Sequence, residues 1–459
     1  MDISKLSLLG VIAVALMSVA FLLGAWAAWR KSVSLREVVW FGIGFHLVFV
    51  ALPLLVSHDV YLYSMYGRIL RIHHANPYLV TPGHFPGDPV LPFVSEEWRD
   101  LPPPYGPAFL QLAGVVSRLV RSPSGLILAF KAMAGAASVG TMLIVAGVAS
   151  RRAPARAPFA AVAVGWNPAI LVHVVGGGHI DALLGLSIAI ALALSLTDSA
   201  PAPRRPARMS LSGLGATAAL ATGALLKVVL ALPLLLQLAA VAVRQAPGRR
   251  IRVLMQHLAI VCAIGLASVG PFLRSFGFIR ALTEVSKQSN APAASSFFKV
   301  MGRLVAGGSG GGSRQVDLVV EAVFFLAILA GLGLLAVHLV RQSPSLSAWE
   351  TADAWGWQLM ILMLAAPLIW PWYAAWVAPL IWLLPTVPRT AALTVSVGLP
   401  SFVAVGEGLL APHLFQMSKA MATTLAAPIF LALLAWLLVE LAQRTRAGLP
   451  LSMEMPISA

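Results

Sequence analysis

Charge is what this chain has least of: Asp, Glu, Lys and Arg make up 11% of its 459 residues, while hydrophobic residues make up 59%. A water-soluble globule could not hide that much apolar surface in its core, so a soluble fold is excluded. Acids are the scarcer sign, 17 against 32 Lys and Arg, which leaves a net charge of +15. Cysteine is nearly absent. The single Cys262 lies inside an apolar run, so an intramolecular disulfide is excluded and the redox compartment leaves no mark. The first apolar stretch, 6–28, lacks a basic n-region and a small-x-small cleavage site, and it reads as a retained span with no targeting peptide. The chain also lacks the internal repeat that many secondary transporters carry.

Apolar stretches of about 18 to 25 residues recur along the whole length, each long enough to cross a hydrocarbon core as a helix. The expectation is an all-α, polytopic membrane protein. In such a chain an excess of positive charge points to basic cytoplasmic loops facing anionic lipid before it points to nucleic acid. Basic clusters fall at Arg30, Lys31 and Arg36; at Arg151, Arg152 and Arg156; at Arg204, Arg205 and Arg208; and at Arg244, Arg249, Arg250 and Arg252. If all share the cytoplasmic side, 211–243 must cross an even number of times, which predicts two short helices meeting near Lys227. Continuing through Arg341, Arg389 and Arg444 gives about 13 spans, N-terminus outside and C-terminus inside.

This topology makes 1–459 one membrane domain with two long extracytoplasmic loops, 57–124 and 274–314. In the first, a short amphipathic helix starting near Asp59 carries Arg68 and Arg71 one turn apart and ends at "NPY", 76–78. A second is expected from Pro107, after the stiff run Pro102, Pro103 and Pro104. Both should lie in the interface plane. The second loop holds Arg274, Arg280, Lys287, Lys299, Arg303 and Arg314 against one acid, Glu284, which runs against the expected charge bias and asks for an anionic partner: lipid headgroups or a phosphate ligand. The glycine-rich 306–313 reads as a flexible tether.

Asp59 suits a helix N-cap, and it also suits a chemical role, since an ionisable residue at the edge of an apolar span defaults to function. Asp181, following the three glycines of "GGGHIDALLG", has the same standing. Histidines 58, 73, 74, 84 and 179 map to the outer side, but their spacings match no established ligand motif, so a divalent metal is disfavoured and no cofactor is expected. Trp370, Trp372 and Tyr373, around the break at Pro371, serve equally as an aromatic belt or as faces on which a sugar or a lipid tail can stack.

Taken in order, "HDVYLYSMYGR", "NPY", "YGP", "WNPAILVHVVGGGHIDA", "LLKVVLALP" and "WPWY" resemble the GT-C glycosyltransferases. Within them they look most like the bacterial polyprenol-phosphate-mannose-dependent mannosyltransferases, including the α-1,6-mannosyltransferases of lipomannan assembly. The resemblance implies a multi-pass enzyme of the bacterial inner membrane with an extracytoplasmic active site and a lipid-linked sugar donor. It makes Asp59 the catalytic base and gives Asp181 a part in positioning acceptor or base, with His58, His179 and Tyr63 as candidates beside it. Lys227 and the outer basic residues Arg68, Arg71, Lys287 and Lys299 would neutralise the donor phosphate. The extra span ahead of the Asp59 loop departs from many members. Because the leaving group is a stabilised phosphate, one base without a general acid should suffice, which favours an inverting transfer. The alternative from another class is a flippase or transporter of a lipid-linked sugar, whose key charges should line a path near the bilayer midplane.

Overall fold

The computed structural model describes residues 3–54, 57–197, 211–272, 294–305, 311–342, 346–366, 369–406 and 412–451, and among them every regular element is helical. Helix α1 (Ile3–Trp29) is joined to α2 (Leu35–Ala51) by a turn that ends in a reciprocal cap: the Ser34 hydroxyl accepts the Glu37 N–H at 3.2 Å, and the Glu37 carboxylate accepts the Ser34 N–H at 2.9 Å. Then follow α3 (Asp59–Arg71), three short 3₁₀ turns, α4 (Pro107–Leu119) and the long α5 (Pro123–Arg152). The chain returns through α6 (Ala157–Gly165) and a π-helical stretch, Ala169–Val175, bent by 41° from the preceding helix.

Next come α7 (Asp181–Thr197), α8 (Leu211–Leu226), α9 (Ala231–Val243), α10 (Pro247–Val269), α11 (Ala294–Val305), α12 (Gly311–Arg341) and α13 (Ala348–Ala365). A run of single helical turns over 371–380 precedes α14 (Thr386–Gly406) and α15 (Pro412–Ala447).

The basic turns gather at one end of this bundle. The Arg156 and Arg389 guanidiniums both lie over the Trp29 ring, at 5.3 and 4.4 Å. Arg244 Nε donates to the Leu346 carbonyl at 3.0 Å, Arg341 to that of Thr445 at 3.1 Å, and Arg152 to that of Leu196. At the opposite end the Gly106 N–H meets the Leu226 carbonyl at 2.9 Å, and Gln111 reaches the Ser268 carbonyl at 2.6 Å. That Arg152, Arg156, Arg244, Arg341 and Arg389 share these turns follows the basic clusters of the sequence, while Arg68 and Arg71 lie elsewhere, on α3.

The core is unusually aromatic, with Trp355, Trp357, Trp382, Phe109, Phe130, Tyr63 and Tyr66 fully enclosed. Outward faces are apolar instead of charged. On α10 only His257 is buried while Ile251, Met255 and Leu266 are exposed, and α12 exposes Leu318, Val319, Phe325 and Leu326, as expected where lipid replaces water.

Several expectations need correcting. Five helices among the described residues are long and apolar enough to cross a membrane, or six if the bent pair before Gly176 counts as one span, so 13 spans are not established. Length is one reason: α7, α8 and α9 have 17, 16 and 13 residues, short of the ~20 a full crossing needs.

Helix α3 ends at Arg71, five residues before Asn76, and it is not a ribbon with one bare polar face. Val60 and every residue from Leu62 to Ile69 are buried, and its polar side chains are spent on protein contacts. The Tyr66 hydroxyl donates to the Leu101 carbonyl at 2.9 Å and the Ser64 hydroxyl to that of Val60 at 2.7 Å. Of the glycine-rich run, 311–313 already belong to α12, while 306–310 lie outside the described residues. The break expected near Lys227 is there, between α8 and a single 3₁₀ turn, Val228–Leu230.

Candidate functional site

The site sits where four chain breaks meet. Asp59 opens α3, with His58 at the cap position, so the carboxyl is not the cap expected of it. Its oxygens face Tyr63, one turn on, and His179: the Tyr63 hydroxyl is 3.5 Å from Asp59 Oδ2 and 3.1 Å from His179 Nδ1, and His179 Nδ1 is 3.6 Å from the same carboxylate oxygen. The side chain of Asp59 keeps 24% of its surface exposed while that of His179 keeps none.

His179 gets there through a tight turn. The π-helical stretch runs into Gly176–Gly178, and Gly178 has φ of +65°, a left-handed conformation that costs other residues roughly 1–2 kcal/mol. A Cβ at Gly178 would also stand 2.8 Å from Val60 Cγ2, so only glycine lets the turn close on α3.

Behind this pair lies a second acid. Asp181, 1% exposed, starts α7 and accepts the Lys227 ammonium at 3.0 Å on Oδ1. Lys227 is delivered by the break after α8, where its backbone is extended (φ −154°, ψ 129°). Gly106 fixes that break. Its N–H bonds the Leu226 carbonyl, and a Cβ there would stand 2.0 Å from the Leu225 carbonyl oxygen. The adjacent Tyr105 packs edge-on to Tyr63 at 5.1 Å.

Aromatic rings form one wall. Trp370 stacks on Trp372 at 4.9 Å and Trp372 on the His179 ring at 3.9 Å. Tyr373 stacks on Trp376 at 3.9 Å, and the Lys227 ammonium lies 4.8 and 5.2 Å from those two ring centres, within cation–π range.

Helix α3 and the 176–180 turn lie outside the candidate spans. Burial pushes the Asp59 carboxyl up to about 6; the Lys227 charge and the hydrogen bonds of Ser57 and Tyr63 pull the other way, while Asp181 adds to the rise. Burial holds His179 well below the usual imidazole range, helped by His173 and Lys227, so it is a neutral partner and not a cation at neutral pH. The arrangement offers a carboxylate of moderate basicity, a cation close enough to act on it, and aromatic faces.

Sequence reasoning thus brought Asp59, Tyr63, His179, Asp181, Lys227, Trp370, Trp372 and Tyr373 together, and the structure places them in one cluster. Other candidates fall elsewhere. Arg68 is 7% exposed and its Nε lies 2.9 Å from both oxygens of Asp88, so its charge is already met; along α3 it sits about 13 Å from Asp59. Arg71, exposed and one turn further, packs against Gly114. His58 is exposed and stacks on Tyr61 at 6.0 Å.

Lys299 pairs with Glu321 at 2.7 Å, and Arg303 with Asp317 at 3.0 Å. The basic excess of 274–314 is therefore met in part by acids on α12 that lie just past the stretch the sequence reading summed. Lys287 lies outside the described residues. The residue that sequence reasoning missed is Trp376, three positions past "WPWY", whose indole N–H donates to Asp181 Oδ1 at 2.6 Å. Among the described residues no three His, Cys, Asp or Glu side chains converge as metal ligands would.

A family model described as alpha-(1->6)-mannopyranosyltransferase, N-terminal domain, matches residues 3–244, more than half of the chain. The chain belongs to this mannosyltransferase family. The matched part holds Asp59, His179, Asp181 and Lys227 and stops short of the aromatic wall. Alpha-(1->6)-mannopyranosyltransferase A of Corynebacterium glutamicum is 33% identical over 141 residues, 30% of this chain and 27% of that protein, so the match spans little more than a quarter of the relative's length. No solved structure matches the chain.

Proposed function

We propose that this chain is a membrane glycosyltransferase that moves a hexose, mannose first among candidates, from a polyprenyl-phosphate donor to a hydroxyl of an envelope glycolipid or glycan. The reaction takes place on the extracytoplasmic face of the bacterial inner membrane. One observation supports it most: the structure folds an accessible carboxylate, Asp59, pushed up to about 6, into the field of Lys227, which comes from a distant break in the chain. Family membership and the apolar outer helices agree with a lipid-linked substrate.

In this reading the acceptor hydroxyl gives its proton to Asp59 as its oxygen attacks the anomeric carbon. The bond from that carbon to the phosphate oxygen breaks with its electron pair leaving on phosphate, and Lys227 offsets the charge that develops there. Inversion follows from a single displacement with one carboxylate acting. Neutral His179 and Tyr63 orient Asp59, and Trp370, the half-buried last ring of the His179–Trp372–Trp370 stack, gives the sugar a face to stack on. A transporter would want its charges strung along the bilayer midplane; here Asp59, Asp181 and Lys227 cluster at one end of the bundle.

The test is to purify the protein, supply a panel of radiolabelled polyprenyl-phosphate sugars with extracted envelope glycolipids, and score transfer. Label moving to glycolipid from the mannose donor is expected. Label that crosses a proteoliposome membrane on its intact donor, with no transfer, would replace this reading by the transporter.

A further inference from the structure

Trp376 belongs to a four-residue helix, Ala374–Val377, outside the stretch matched by the family model. It is tied to Asp181 in two ways. Its indole N–H donates to Asp181 Oδ1 at 2.6 Å, and its ring lies 5.2 Å from the Lys227 ammonium, which donates to that same oxygen at 3.0 Å. Both donors therefore converge on one oxygen of the carboxylate. The other, Oδ2, is buried, and among the described residues no donor reaches it.

Leaving a buried carboxylate oxygen without a donor is costly, and among the described residues nothing relieves it. A bound ligand can supply the missing donor. Because Lys227 already balances the charge of Asp181, a second cation is not called for, and a neutral hydrogen-bond donor fits. Two residues before Asp181, His179 anchors a stack of Trp372 and then half-buried Trp370, whose ring is a flat apolar face of the kind that packs on the C–H face of a pyranose. A hydroxyl on such a ring is the neutral donor that these features have in common.

We propose that Asp181 Oδ2 is a subsite for a hexose hydroxyl and that Trp376 is its positioning residue, holding Oδ1 so that Oδ2 stays free. The hydroxyl belongs to the transferred sugar or to the acceptor sugar. This inference rests on the hexosyl-transfer reading and deepens it by naming what the second acid recognises.

The experiment measures kcat/KM with polyprenyl-phosphate mannose and its monodeoxy analogues as donors, and with octyl α-mannoside and its monodeoxy analogues as acceptors. The proteins are wild type, Asp181→Asn, Trp376→Phe and Trp376→His, with melting temperature recorded for each. In wild type one deoxy compound should lose roughly 10- to 100-fold, the usual value of a hydrogen bond to a charged group, and the arm in which it appears identifies the sugar.

In Asp181→Asn the ratio of parent to that deoxy compound should collapse to within about threefold. Trp376→Phe, which keeps a ring under Lys227 but loses the N–H, should lower the same ratio several-fold with little change in melting temperature. Trp376→His, which keeps a ring N–H, should regain part of it. A purely structural Trp376 would lower the melting temperature and leave the ratio alone, and that result overturns its positioning role. A wild-type ratio in Asp181→Asn overturns the subsite. Absence of transfer from any hexosyl donor in wild type sinks both this inference and the reading beneath it, whereas transfer with unchanged ratios sinks this inference alone.

Discussion

Two acids in the segment 57–124 show how differently one chain can treat a carboxylate. Asp88 is completely buried and completely answered: Arg68 Nε lies 2.9 Å from both oxygens, the Val90 N–H donates to Oδ1 at 2.9 Å, and His73 Nε2 sits 2.7 Å from Oδ2. Burial alone would raise its carboxyl, but those hydrogen bonds and the Arg68 charge outweigh it and hold the group below the ordinary range. Asp59 is partly exposed and under-answered, with contacts of 3.5 and 3.6 Å, and it is pushed the other way, to about 6. A carboxylate whose donors all come from its own chain is a strut that pins the 72–101 loop to α3. One whose donors are incomplete has capacity left for a substrate.

That contrast is broken or sharpened by mutation. The largest effect is expected from Asp59→Asn, which should fold and bind donor yet lose transfer by roughly 10²-fold or more, the scale of general-base catalysis. Turnover close to wild type would place Asp59 with the struts. Lys227→Met should come next, raising donor KM by roughly 10- to 100-fold through loss of a charge-assisted contact to phosphate, and lowering the melting temperature as well because it leaves buried Asp181 unpaired. A donor KM unmoved by this change would confine Lys227 to balancing Asp181. The smallest effect on chemistry should come from Asp88→Ala. It leaves Arg68 buried and unpaired, which costs about 3–5 kcal/mol of stability, so the melting temperature should fall while turnover per folded molecule stays near wild type. A stable Asp88→Ala protein without activity would erase the distinction.

Much of this was legible in the sequence, and the failures have physical causes. The all-helical membrane fold follows from hydropathy, and the break at Lys227 follows from counting crossings between Arg clusters, because topology constrains even a continuous apolar run. Asp59 and Asp181 stood out because acids are rare here and lie at span edges. The pairing of Arg68 was not legible because its partner Asp88 sits in an aperiodic, proline-rich loop, where spacing carries no information about approach. The pairing of Lys299 was hidden for a similar reason, since Glu321 follows the glycine run and enters no local charge sum. Trp376 carried no signal of its own in the sequence; only its 2.6 Å hydrogen bond to Asp181, from far along the chain, distinguishes it. Span number stayed open because short helices such as α9, with 13 residues, fail a length test whatever their path.

The central claim, that Asp59 is the base, is tested most directly by the pH dependence of kcat/KM for hexosyl transfer. A base must be deprotonated to act, so a carboxyl pushed up to about 6 gives a rate that is level above pH 7 and falls through a midpoint near 6, approaching tenfold per unit below it. The account predicts that acidic limb in wild type and its disappearance from the residual activity of Asp59→Asn. A limb that persists unchanged in Asp59→Asn would contradict it and assign the proton to another group.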